Sequence, residues 1–207
     1  MTRPLLFTIG HSDRSLADFI ELLKMFDVSA VADVRSHPFS RWLPYFNGPN
    51  IKSSLRETGI AYAFLGRELG ARRTESSCYL NGKVNYDLIE RTPAFQSGIN
   101  RIRKGVKSHR IALMCSEWDP ATCHRTILIS KALRSELEIH HILSNEAIES
   151  HEEVEQRLLL QWQVNERNLF LSELERLNDA YSRQAAEIAY TLSDAPLTLE
   201  SARQAHD

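Results

Sequence analysis

The chain has 207 residues, 43% of them hydrophobic and 25% charged, with a formal net charge of −2. That composition fits one α/β domain with an appendage and argues against a low-complexity chain. No apolar run approaches the ~20 residues of a membrane helix, and Met1–Gly10 lacks the features of a signal peptide. The expectation is a cytoplasmic protein with no membrane partner, whose three cysteines are core, reactive or metal-binding thiols.

Leu5–Gly10, "LLFTIG", is a short apolar run ending in glycine and predicts a buried strand. Ser15 with Asp18 resembles a capping box, and Leu16, Phe19, Ile20, Leu23 and Phe26 repeat at helical spacing. Val28–Val34 predicts a second strand. Asn50–Thr58 predicts a short helix stopped by Gly59. Ile60–Leu65 predicts a third strand. Residues 66–92 read as an irregular functional loop or small insertion. Pro93–Lys107 predicts a helix, and Ile111–Cys115 a fourth strand. Asp119 and Pro120 suit the N-cap and first position of a helix running to about Ser135. Glu138–Leu143 predicts a fifth strand. Strands alternate with helices and are apolar throughout, so the expected fold class is α/β: a mostly parallel sheet with helices on both faces.

Residues 5–145 form the expected α/β domain, and 146–207 an acidic helical extension with a frayed tail after Ser193. The first 145 residues sum to +6 in formal charge and the rest to −8. Phe170, Leu174, Leu177, Tyr181 and Ile188 follow a helical spacing. That stripe packs on its own domain or pairs in a homodimer.

The chemistry-bearing residues share one address. His11 and Ser12 follow the first strand. Asp33, Arg35 and Arg41 end or follow the second. Arg72 and Arg73 follow the third. Cys115 and Glu117 end or follow the fourth, with Cys123, His124 and Arg125 just beyond. In a parallel sheet these carboxyl ends open onto the same crevice, where ligands bind.

Several of these segments also carry a resemblance. "TIGHS" at Thr8–Ser12, "DVRSHPFSR" at Asp33–Arg41, "YFN" at Tyr45–Asn47, "LGARR" at Leu69–Arg73, "MCSEWDPATCHR" at Met114–Arg125 and "HHI" at His140–Ile142 occur in that order. Together they resemble the DUF488 family over about residues 5–145. The family's usual "LGGRR" has Ala71 in a glycine slot here. The resemblance implies an α/β domain with a shared site. It implies no reaction, because the family is one of unknown function.

The residues themselves suggest the following roles. Ser12, Asp33, Arg35, Arg41, Arg72, Arg73 and Arg125 are candidates for an anion site, because guanidinium pairs with phosphate and carboxylate oxygens. Cys115 is a candidate nucleophile, its thiol favoured by arginines and by the following helix. Glu117, His124 and His11 are candidate acids or bases. Ten positions separate Cys115 from Arg125, which is not the phosphatase spacing of cysteine, five residues and arginine. On a continuous helix Cys123 and His124 would point apart, and their spacing from Cys115 is no zinc signature, so no metal is expected. No cofactor is implied. The expected function is an enzyme acting on a phosphorylated or otherwise anionic small molecule, such as a nucleotide. The alternatives are a nucleic-acid-associated protein, with Phe39, Trp42, Tyr45 and Phe46 as stacking candidates, or a non-catalytic anion-sensing module.

Overall fold

The computed structural model describes residues 3–145, 147–164 and 171–192. Among these residues, eight strands and eight α-helices are arranged in chain order. β1 (Leu5–Gly10) leads into α1 (Leu16–Met25), and β2 (Ala30–Asp33) into α2 (Gly48–Glu57) and β3 (Ala61–Phe64). Residues 66–92 are a structured insertion: α3 (Gly66–Leu69), the hairpin β4 (Tyr79–Leu80) and β5 (Lys83–Val84), and α4 (Tyr86–Glu90). Then come α5 (Pro93–Gly105), β6 (Ile111–Cys115), a π-helical turn (Arg125–Ser130) running into α6 (Lys131–Leu133), and β7 (Glu138–Ile142). β8 (Ile148–Ser150), α7 (His151–Gln161) and α8 (Glu173–Ile188) follow.

Six strands form one sheet in the order β3-β2-β6-β1-β7-β8. Every pair is parallel except β7 with β8. The fold is therefore α/β with helices on both faces, and its last strand comes from the expected extension. Burial on both faces explains why the strands read as unbroken apolar runs. Along β6, Ile111, Leu113 and Cys115 join one core with α5, α7 and α8, while Ala112 and Met114 join the other with α1 and α2.

Local chemistry sets the helix starts. Ser15 accepts the Asp18 N–H, Thr92 that of Phe95, and Ser150 and Ser172 each close a full capping box. Pro44 begins a one-turn 3₁₀ segment, and α2 begins two residues before the predicted Asn50. α8 turns Leu177, Ala180, Tyr181 and Gln184 onto its own domain. Phe170 and the tail after Ser193 lie outside the described residues.

A buried hydrogen-bond chain ties α7 and α8 to the sheet. Arg125 Nε donates to Thr8 Oγ1 at 3.3 Å, and Thr8 reaches His141 Nδ1 at 2.8 Å. His141 Nε2 meets His151 Nδ1 at 3.2 Å, His151 Nε2 meets the Tyr181 hydroxyl at 2.9 Å, and that hydroxyl donates to Glu155 Oε1 at 2.8 Å. A carboxylate can only accept and the Tyr181 hydroxyl has one proton, so the Glu155 end fixes the direction of donation along neutral imidazoles. Both histidines then carry their proton on Nε2 and stay neutral. Burial, then the neighbouring His151, holds His141 well below its ordinary value. Burial, then Arg134, lowers His151 to about 3.

This chain dictates how stability depends on pH. The unfolded histidines take up protons as the pH falls through about 6.5, whereas folded His151 waits until about 3. In that window the unfolded state binds more protons, so acid destabilises the fold. Urea denaturation should show stability falling by roughly 1.4 kcal/mol per pH unit per buried histidine below the unfolded pKa. A flat profile between about pH 7 and pH 5 would contradict the neutral chain.

Candidate functional site

β6 delivers Cys115 to the carboxyl edge of the sheet, and the loop after it folds back across β1. Gly10 permits that return: a Cβ there would lie 1.8 Å from the Glu117 carbonyl oxygen. The backbone N–H groups of His11 and Ser12 donate to the carbonyls of Cys115 and Ser116 at 2.9 and 2.8 Å. Ser12 adopts a positive φ of 45° to do so, contributing its backbone.

The predicted continuous helix from Asp119 is interrupted. Asp119 caps a single 3₁₀ turn, Pro120–Thr122, by accepting the Ala121 N–H at 2.9 Å. Cys123 is then extended (φ −128°, ψ 140°), and the chain becomes helical again from His124. The Cys123 thiol accepts the Arg125 N–H at 3.4 Å, in the manner of a capping side chain. The expectation that Cys123 and His124 point apart is thus corrected, because it assumed one unbroken helix. The helix-start position assigned to Cys115 belongs to Cys123.

Four side chains meet as a result. Glu117 is exposed as a residue, yet its Oε2 sits between two thiols, 2.8 Å from Cys115 Sγ and 3.0 Å from Cys123 Sγ. His124 Nε2 donates to the Val34 carbonyl at 3.0 Å, which turns its Nδ1 toward the sulfurs at 3.6 and 3.8 Å. One ligand atom from each of Cys115, Glu117, Cys123 and His124 lies within 4.8 Å of the others.

The electrostatics of the four are linked. Burial would raise the Glu117 carboxyl, but His124 and the two thiol hydrogen bonds outweigh it and hold it at about 2. Burial pushes the Cys115 thiol up, reinforced by Cys123 and the Glu117 charge. Burial acts on Cys123 in the same sense, yet its hydrogen bond with Cys115 and the Arg125 charge bring it down to about 6. For His124, burial is outweighed by Cys123 and Glu117, and the net direction is up. The pair of thiols therefore loses one proton readily and the second reluctantly.

The floor opens into a cleft of about 530 Å³. Cys115, Glu117 and His124 line its base, Arg35, His37 and Phe39 one side, and Arg72 another. Ile188–Tyr190, just after α8 and at its last residue, form a wall that the motifs did not indicate. Val84 N–H donates to the Tyr190 carbonyl at 2.9 Å, which fixes that wall to the insertion.

The predicted arginines divide. Arg35 lines the cleft but is held by Asp33 through Nε and Nη2 at 2.9 and 2.7 Å, by the Phe46 carbonyl at 2.8 Å and by His11 Nε2 at 3.2 Å. Four of the five N–H groups of a guanidinium are thereby engaged. Asp33 is a positioning partner for Arg35. So is His11, stacked on Phe46 at 4.3 Å, lowered to about 4 by burial and then by Arg35, and absent from the cleft lining. Arg72 stacks over Tyr190 at 4.9 Å and, among the described residues, makes no ion pair. Arg73 is internal, bonded to Glu75 and to the Arg67 and Glu68 carbonyls. Arg41 is exposed and stacks on Trp42, away from the cleft lining. Arg125 is fully buried and donates to the Glu117 and Trp118 carbonyls at 2.6 and 3.0 Å.

Arg125 is thus structural. Arg125→Met strands two loop carbonyls, and each unpaired buried acceptor costs ~1–3 kcal/mol. Denaturant unfolding should show a loss of about 3 kcal/mol or more, whereas Arg41→Ala stays within about 0.5 kcal/mol of the parent. Equal effects of the two would refute the assignment.

A family model described as a domain of unknown function, DUF488, matches residues 15–132. No curated protein and no solved structure shows significant similarity to the chain.

Proposed function

Since the chain belongs to the DUF488 family, which carries no assigned reaction, we propose from the site itself that it is an enzyme acting on a phosphorylated or otherwise anionic small molecule, such as a nucleotide. The observation behind this reading is the cleft that joins an unpaired cation, Arg72, to a floor of Cys115, Glu117 and His124. Ligand clefts commonly place a few convergent polar groups in such a concavity. The substrate's anionic group pairs with Arg72 and with the remaining N–H of Arg35. Its reacting atoms then lie over the floor. Glu117, the floor residue that is exposed and is held ionised, can orient a reacting group there by accepting its hydrogen bond. Three free cysteines suit a reducing compartment, which supports a cytoplasmic location. Among the described residues no helix is long and apolar enough to cross a membrane.

A nucleic-acid substrate is the second reading, and one observation favours it. Phe39 and Trp42 are 74% and 77% exposed, while Phe46 is fully buried. The aromatic run thus splits into one core anchor, a half-buried Tyr45 packed against the same core, and two rings open to stacking. Phe39 sits on the cleft itself.

A panel of nucleotides, sugar phosphates and short oligonucleotides tests both readings. A ligand of the cleft should bind Arg72→Ala roughly tenfold or more weakly, the loss of one charge-assisted contact. The melting temperature without ligand should stay unchanged, because Arg72 is exposed and unpaired. A phosphorylated compound bound equally by both proteins would sink the small-molecule reading. Oligonucleotide affinity that falls steeply with salt and is lost in Phe39→Ala/Trp42→Ala would select the second.

A further inference from the structure

The floor has a second property that the proposed reaction does not require. Two sulfurs, one imidazole nitrogen and one carboxylate oxygen converge on a common point from four directions in the sequence: the end of β6, the loop after it, the extended residue 123 and the following helix start. We infer that Cys115, Cys123, His124 and Glu117 form a binding site for a divalent transition-metal ion of the zinc type.

The donor set selects the metal. Two thiolates with an imidazole favour zinc over calcium or magnesium, which take oxygen ligands. The spacing is suitable too. Bonds of roughly 2.0–2.3 Å in a tetrahedron give ligand-to-ligand edges of roughly 3.3–3.8 Å. The sulfur-to-Nδ1 distances of 3.6 and 3.8 Å already match. The sulfur-to-Oε2 distances of 2.8 and 3.0 Å are hydrogen bonds, which must open by about half an ångström as the thiol protons leave.

The surroundings are those of a ligand set. A metal-bound histidine characteristically donates its other ring N–H to a carbonyl or carboxylate, and His124 donates Nε2–H to Val34. The Arg125 N–H points at Cys123 Sγ, and its guanidinium is held against the Glu117 backbone. A dication with two thiolates and one carboxylate carries a net charge of −1. The fully buried Arg125, which among the described residues pairs with no carboxylate, supplies the balancing charge.

Access differs among the four. Cys115, Cys123 and His124 are buried, whereas Glu117 is exposed at the cleft. Three fixed ligands with one at the open side is the pattern of a site that exchanges its fourth ligand. The inference shares the cleft with the proposed function, but binding of the ion does not depend on turnover.

The test is a titration of the full-length chain, purified with reductant and chelator and then freed of chelator. Zn²⁺ should bind at one ion per chain, read by competition with a chromogenic chelator. Co²⁺ should give the intense visible band of a tetrahedral site together with a thiolate charge-transfer band. Cys115→Ser and Cys123→Ser should each remove the charge-transfer signal or weaken Zn²⁺ at least a hundredfold, while Cys78→Ala retains both. Absence of saturable binding by the parent protein overturns the inference, as does binding that survives both serine substitutions. Metal binding without turnover of any panel compound would count against the enzyme reading alone. Turnover by a protein that shows no saturable metal binding would count against this one alone.

Discussion

The architecture of the site depends on one buried cation. Arg125 is fully excluded from solvent, and a guanidinium so placed must have its donors satisfied. It does this by donating to two consecutive loop carbonyls, those of Glu117 and Trp118, and to the Thr8 hydroxyl. The loop carbonyls define where residue 117 sits and so place its carboxylate between the thiols. The bond to Thr8 starts the chain that ends on α7 and α8. One side chain thus positions both the floor of the cleft and the helices that carry its far wall.

Two sets of histidines show how the surroundings divide their roles. His141 and His151 sit in a chain whose direction is set at its Glu155 end, so each has one donor and one acceptor, and burial keeps them neutral. Their function is to hold α8 against β7. His11 is also neutral, serving as acceptor for Arg35. His124 differs: its Nε2 is committed to Val34, and its Nδ1 meets two sulfurs near a carboxylate. Of these four it alone leaves a ring nitrogen to a cleft-facing group.

The legible parts of the sequence were those with a short-range cause. β1 and β6 were read to the residue because both faces of the sheet are buried, which gives continuous apolar runs. The cap at Ser15 was visible because the capping oxygen lies three residues from its donor, and the start of α5 because Pro93 suits a first helical position. The break at Cys123 was not visible. Asp119 and Pro120 are a sound helix start, and no glycine or second proline marks where the turn ends. That single break converts two diverging side chains into neighbours, so the metal set was discounted on local geometry that the chain does not adopt. The arginines divided for a different reason. Their identity states a charge but not its direction, and a long side chain reaches carbonyls inside the fold as readily as an anion outside it. Arg73 and Arg125 took the inner option. β4, β5 and β8 are two or three residues long, too short for any periodicity to register.

The cleft is assembled from two parts of the chain with different standing. Its floor, Cys115, Glu117 and His124, lies wholly within residues 15–132, the span shared with the family, as does Cys123 beside it. So do Arg35 and Arg72. Its far wall is formed by residues 187–190, which lie outside that span and are fastened to β5 through the Tyr190 carbonyl. The Tyr190 ring is also the surface on which Arg72 stacks. A guanidinium lying flat on a ring keeps its N–H edge free for an anion while its orientation is restrained. The extension therefore acts on a cation of the cleft that makes no ion pair among the described residues. The floor residues thus lie within the family span, whereas part of the shape of the cleft is set by the segment that follows.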